Sequence, residues 1–249
     1  MRFGKSSNPV LSKKRFENTQ VLSQVQSEPM SLNGTLNKTL ILFGLLLVTG
    51  TFAWNLTKAG TINPMILIIG GAIGGLVLAI ITVIKPERSP ITAPIYALLE
   101  GLFVGALSAK FAMFYDGIVM QAIGLTLSIM LIMLLLYRSG VLKATPKFKK
   151  GVFIATGGVM FFYIINLVAG MFGGGISLFS LGWIGIGISL VIVVIAAMNL
   201  IIDFDMIEKG VETGQPKFVE WYASFGLMVT LIWLYIEILR LLALLAGRD

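Results

Sequence analysis

Seven apolar segments, each long enough to cross a bilayer, dominate the 249-residue chain. They run near 39–57, 64–84, 91–113, 117–137, 151–172, 179–204 and 219–246. A spanning helix needs roughly 20 apolar residues. Backbone groups in hydrocarbon must satisfy one another, which restricts spanning elements to helices or closed barrels. These segments are twice the length of a barrel strand, so the expected fold is all-α: a polytopic membrane protein built as a seven-helix bundle. The connections are short. Asn63-Pro64, the run Lys85 to Pro90 and Gly173-Gly174-Gly175 are breakers between helices. Residues 1–38 are polar and lack an apolar stretch after the basic start. They predict a disordered tail ahead of a transmembrane domain over 39–249.

Composition narrows the chemistry. Charged residues make up 12% of the chain against 57% hydrophobic, and neither cysteine nor histidine occurs. Thiol nucleophiles, disulfides and thiolate metal sites are excluded, as is the usual near-neutral proton switch. Proton sensing therefore falls to carboxylates. The net charge of +7 follows topology rather than nucleic acid. With the N-terminus inside, the inner regions hold fifteen lysines and arginines: six before the first segment, then Lys85 and Arg88, then five from Arg138 to Lys150, then Lys209 and Lys217. The outer side holds only Lys58, Lys110, Arg240 and Arg248. The positive-inside rule thus predicts a cytoplasmic N-terminus. Seven spans would put the C-terminus outside, and a re-entrant last segment would put it inside.

The acids are concentrated. Asp203, Asp205, Glu208, Glu212 and Glu220 cluster where segment six ends and segment seven begins, and Glu237 lies deep within segment seven. Intramembrane carboxylates are costly and default to functional candidates. Glu100 sits about 13 Å into segment three and Glu237 about 27 Å into segment seven. Thr230 and Glu237 are two turns apart and share a face. Asp203 and Asp205 point to nearly opposite sides, with Asn199 one turn before Asp203 on its face. Two carboxylates meeting in a dry site would titrate as a unit and suit a proton-gated latch. Clustered carboxylate oxygens also suit Ca2+. Lys85 and Arg88 are the expected counter-charges. Small-xxx-small pairs at Gly70/Gly74, Gly71/Gly75, Gly101/Gly105 and Gly185/Ser189 predict close helix packing.

Several motifs together resemble a known family. They are Phe204-Asp205-Met-Ile-Glu-Lys-Gly with the following polar loop, the helix running to Ile238-Leu239-Arg240, Asn8-Pro9-Val10-Leu11-Ser12, Tyr96-Ala-Leu-Leu-Glu100-Gly101-Leu and Glu220-Trp221-Tyr222. The chain resembles the Bax inhibitor-1 family, also called the transmembrane Bax inhibitor motif group, in its bacterial YccA-like branch. The resemblance implies a central last helix, residence in the bacterial inner membrane and a pH-sensitive calcium leak channel. It implies a gate aspartate at Asp205, a second gate position at Thr230 or Glu237, and a basic partner at Lys85 or Arg88. Glu100 would line the pore, and Asp205 with Glu237 would be the Ca2+ ligands, with no resident cofactor. The alternative reading is a membrane-embedded regulator of a membrane protease or stress response. An enzyme is not expected: an aspartyl intramembrane protease needs a Gly-x-Gly-Asp, and Gly185-Ile-Gly187 is followed by Ile188.

Overall fold

The structure, a computed structural model, describes residues 28–247. The described residues form seven long helices: α1 (Leu32–Lys58), α2 (Pro64–Ile84), α3 (Ser89–Phe114), α4 (Ile118–Arg138), α5 (Pro146–Met171), α6 (Trp183–Glu212) and α7 (Phe218–Ala246). Short 3-10 turns, Pro86–Arg88 and Leu178–Leu181, precede α3 and α6. All seven helices are long and apolar enough to cross a membrane.

Two boundaries depart from the apolar pattern, and each has a local cause. α1 begins at Leu32 rather than near 39. The Ser31 hydroxyl caps it by accepting the Gly34 N–H, and Thr35, only 1% exposed, turns this polar first stretch onto α7. The rest of the expected tail, residues 1–27, lies outside the described residues. α6 continues to Glu212 rather than stopping near 204. The acidic corner is therefore helix for two more turns, tied by a Lys209–Asp205 pair at i,i+4 spacing. α5 starts at Pro146, a favoured first helical position, with the Thr145 hydroxyl accepting the Phe148 N–H.

α7 is the axis of the bundle. It packs against α1, α3, α4 and α6 and buries sixteen residues, where α5 buries two. Leu231, Leu234 and Ile238 meet Leu200 and Ile201 in one core. Phe225, Met228 and Ile232 meet Leu42 and Tyr96 in a second. Outward faces such as Leu40, Phe153 and Trp183 stay exposed, as lipid-facing surfaces do. α7 also runs the full length of the bundle. Its start lies beside the start of α3, where Ser89 donates to the Phe218 carbonyl at 3.0 Å. Its end lies beside the end of α3, where a Cβ on Gly247 would sit 3.1 Å from the Tyr115 hydroxyl. α7 is thus one continuous helix rather than a hairpin. We call the end holding Ser89 and Phe218 the basic end.

The small-residue pairs are not equivalent. A Cβ on Gly105 would lie 2.1 Å from the Gly50 carbonyl oxygen, and one on Gly101 2.5 Å from that of Leu46. Both obstacles are backbone of α1, and at Gly101 the Thr49 hydroxyl lies nearer still, at 1.9 Å. Nothing lies within 4 Å of a Cβ on Gly70. Gly105→Ala is therefore expected to destabilise by ~1–3 kcal/mol, the cost of overpacking, while Gly70→Ala is neutral or mildly stabilising. Thermal unfolding in detergent separates the two, and equal melting temperatures would remove α1–α3 contact as the reason for Gly105.

Candidate functional site

At the basic end, Asp205 is 6% exposed and carries two cations. Lys209, one turn on, places Nζ 2.8 Å from Oδ1, and Lys149 from the first turns of α5 binds Oδ2. The same corner holds a bond from the Tyr137 hydroxyl of α4 to Glu208. A cavity of about 560 Å3 opens there, lined by Tyr137, Arg138, Lys143, Thr145, Asp205 and Glu208. Lys85 and Arg88, expected as the counter-charges, are both exposed and have no ion pair among the described residues. The reason is packing order. α2 lies against α3, and the turn joining them meets the start of α7 rather than α6. Lys209 was within reach of sequence reasoning through its i,i+4 spacing. Lys149 was not, because only the α5–α6 packing brings it in.

Asp203 and Asp205 do face apart, as a 200° separation requires. Asp203 turns toward α7, where Thr230 is its polar neighbour and a Cβ on Gly226 would lie 4.0 Å from Oδ1. Its Oδ2 is buried without a partner. Thr230 therefore faces Asp203 and not Asp205. Its hydroxyl donates to the Gly226 carbonyl at 3.2 Å. Asn199, expected on the Asp203 face, instead turns to α5 and donates to the Thr156 hydroxyl at 2.9 Å.

Glu237 belongs to a separate knot toward the opposite end. It lies nineteen residues beyond Phe218, ~29 Å along α7, whereas Asp205 is seven residues, ~10 Å, from the basic end of α6. The two are not brought together and do not form a shared Ca2+ site. Among the described residues no group of three acidic, histidine or cysteine side chains is placed to hold a metal. Glu237 is 1% exposed. Its Oε1 accepts from Arg240 at 2.5 Å, Tyr163 at 2.7 Å and Trp233 at 3.1 Å, while Oε2 is buried without a partner. The Arg240 guanidinium also stacks over the Tyr163 ring at 5.1 Å. Glu100 stands apart from both acids. It is 8% exposed, neighbours Tyr96 and lies against α2, where a Cβ on Gly75 would be 2.5 Å from its Oε1.

A fourth polar cluster was not anticipated. Glu220, 1% exposed, accepts the Ser31 N–H at 2.8 Å and the Ser31 hydroxyl at 3.0 Å, and pairs with Lys38. Ser224 on the next turn lies 2.9 Å from the Thr35 carbonyl. Just before α1, the Met30 N–H donates to the Gln215 carbonyl at 2.7 Å, and Glu28 pairs with Lys217. Residues 28–31 thus strap the start of α1 to the α6–α7 connection. The hydrogen bond and charge of Lys217 hold the Glu28 carboxyl below its ordinary range. A depressed carboxylate favours the strapped form above its free pKa. That contribution is lost as pH falls through the bound value. Acid is expected to lower the protection of the Met30 amide, its exchange relative to an unstructured amide at the same pH, in the wild type. Lys217→Gln is expected to flatten this dependence, and an unchanged profile would disconnect the pair from the strap.

A family model described as Bax inhibitor 1 like matches residues 8–247. Searches of curated proteins and of solved structures returned no significant match. The match spans nearly the whole chain, every described helix included. With seven helices of spanning length, a buried α7 at their centre and an acidic corner closing α6, the chain belongs to the Bax inhibitor 1 like family of membrane proteins.

Proposed function

We propose that the chain is a pH-sensitive leak pathway for cations, calcium foremost, in the bacterial inner membrane, with the basic end toward the cytoplasm. The observation that carries this reading is Asp205, a buried carboxylate gripped by Lys149 of α5 and Lys209 of α6. While Asp205 is ionised, one negative charge holds two positive ones together. Protonation leaves two ammonium groups side by side with nothing between them. Their repulsion then favours separation of the α5 start from α6. Inward of this latch, the unpartnered Oδ2 of Asp203, beside Thr230, supplies a carboxylate oxygen for a passing cation. Hard cations take such ligands. Glu100 and Glu237 extend the set of buried acids, and no catalytic step is assigned to any of these residues.

The test is calcium flux. Protein in liposomes loaded with a calcium indicator should pass Ca2+ faster as the pH on the basic side is lowered. Liposomes that stay tight at every pH would end the proposal.

A second reading, a membrane-embedded regulator of a protease or stress response, draws on the strap. Residues 28–31 join the segment preceding α1 to the α6–α7 connection, so a partner pulling on that segment would reach the acidic corner. Removal of residues 1–27 separates the readings: loss of partner capture with flux intact favours the regulator.

A further inference from the structure

α5 is the least embedded helix of the bundle, yet it touches both distant acids. It buries only Val152 and Val159. Lys149, Thr156 and Tyr163 lie at spacing seven along it, and each makes one polar contact inward. Lys149 pairs with Asp205. The Thr156 hydroxyl accepts from Asn199 at 2.9 Å. The Tyr163 hydroxyl donates to Glu237 at 2.7 Å. With the valines three residues on from the first two rungs, this is a heptad seam with polar residues at one core position and valine at the other. Polar residues at such positions fix register at some cost in stability. Between α5 and α6 lies an apolar groove of about 580 Å3, lined by Ala155, Gly158, Phe162, Gly187, Ile188 and Val191 among others. α5 is therefore held in register by three rungs, with an apolar surface groove beside it.

We propose that α5 is a rod coupling Asp205 to Glu237, with Lys149, Thr156 and Tyr163 as its positioning residues: a release at either acid is transmitted along α5 to the other. This builds on the reading of Asp205 as the latch, but the coupling is a separate statement. The rungs at 149 and 163 lie ~21 Å apart along the helix, beyond the ~7–10 Å over which independent sites normally influence one another. α5 connects them because a helix held by three polar rungs and two buried valines shifts as one body. Tyr163 matters doubly, since its ring also carries Arg240, so a displaced α5 withdraws both a donor and a stacking surface from the Glu237 knot.

The chain contains no cysteine, so introduced pairs can be spin-labelled without background. One pair, Phe153→Cys with Ile84→Cys, reports the basic end of α5. The other, Leu167→Cys with Ile66→Cys, reports its opposite end. All four positions are exposed. In lipid, Lys149→Gln should shift the far pair by ~1–2 Å, the amplitude of a helix shift, and Tyr163→Phe should shift the near pair. Asp205→Asn cuts the first rung from the α6 side and should reproduce the Lys149→Gln result, while Lys149→Arg should keep both distances. Transmission along a rod is reciprocal. A far pair unmoved by Lys149→Gln and Asp205→Asn, or a near pair unmoved by Tyr163→Phe, overturns the coupling. Calcium flux measured on the same samples keeps the two ideas apart. Coupled distances without flux would sink the leak pathway alone, and flux with uncoupled distances would sink the rod alone.

Discussion

Glu237→Leu should destabilise the bundle by ~3–5 kcal/mol, the usual result of stripping one partner from a buried ion pair. The variant leaves the Arg240 guanidinium, 18% exposed at its side chain, without its carboxylate. It also leaves the Tyr163 hydroxyl and the Trp233 N–H without the acceptor they share. Such loss is much larger than the effect of a solvated pair because both side chains are largely buried. The double variant Glu237→Leu/Arg240→Met should recover the share of the lost stability that comes from the stranded guanidinium, the Tyr163 and Trp233 donors staying without their acceptor. A buried pair seldom outweighs its own desolvation, and apolar replacements of similar volume are often neutral or better. The unpartnered Oε2 of Glu237 makes this pair an incompletely satisfied one, which strengthens the expectation. Thermal unfolding in detergent across the three proteins decides it. A single variant within ~0.5 kcal/mol of wild type would mean that the knot is not a coupled unit. A double variant as weak as the single would mean that the knot is structural rather than retained for function.

The spans were legible because each is a simple physical demand: a bilayer's length of apolar residues, ended by proline, glycine or charge. Where the reading of α1 and α6 fell short, the cause was the same. Ser31 to Lys38 and Asp205 to Glu212 are polar enough to pass for loop. Both are helical because their polar groups are used, Thr35 and Glu220 against one another's helices and Asp205 against Lys209. The opposed faces of Asp203 and Asp205 followed from helical period alone. Their partners did not. A 56-residue separation joins Lys149 to Asp205 and a 189-residue separation joins Ser31 to Glu220. No local pattern encodes which of seven helices become neighbours. Arg240 is different: it stands at i+3 from Glu237, a spacing at which helical side chains meet. Topology counting alone treats it as an outer loop charge. The heptad of Lys149, Thr156 and Tyr163 was likewise present in the letters but hidden, since the apolar lipid-facing residues over most of α5 obscure any amphipathic signal.

Asp205→Asn is the complementary case, with a small effect on stability and a large one on gating. Lys149 and Lys209 are 36% and 57% exposed at their side chains. Water therefore screens most of what they gain from the carboxylate, and such half-solvated pairs contribute ~0.2–1 kcal/mol. The melting temperature should hardly move. The charge balance at the corner does change: the neutral amide keeps the shape of Asp205 but leaves two ammonium groups without their shared anion at any pH. The variant is therefore locked in the condition that acid produces in the wild type. Its calcium leak at neutral pH should rise about tenfold, which corresponds to ~1.4 kcal/mol in the latch equilibrium, and should no longer respond to acid. Asp203→Asn serves as the contrast. Asp203 faces α7 and bonds neither lysine, so its replacement should alter the size of the leak while preserving its pH dependence. Flux assays on both variants over one pH series distinguish latch from lining. If Asp205→Asn keeps the wild-type profile, or if Asp203→Asn is the variant that loses it, the gate lies between α6 and α7, and the lysines at Asp205 hold the fold without controlling it.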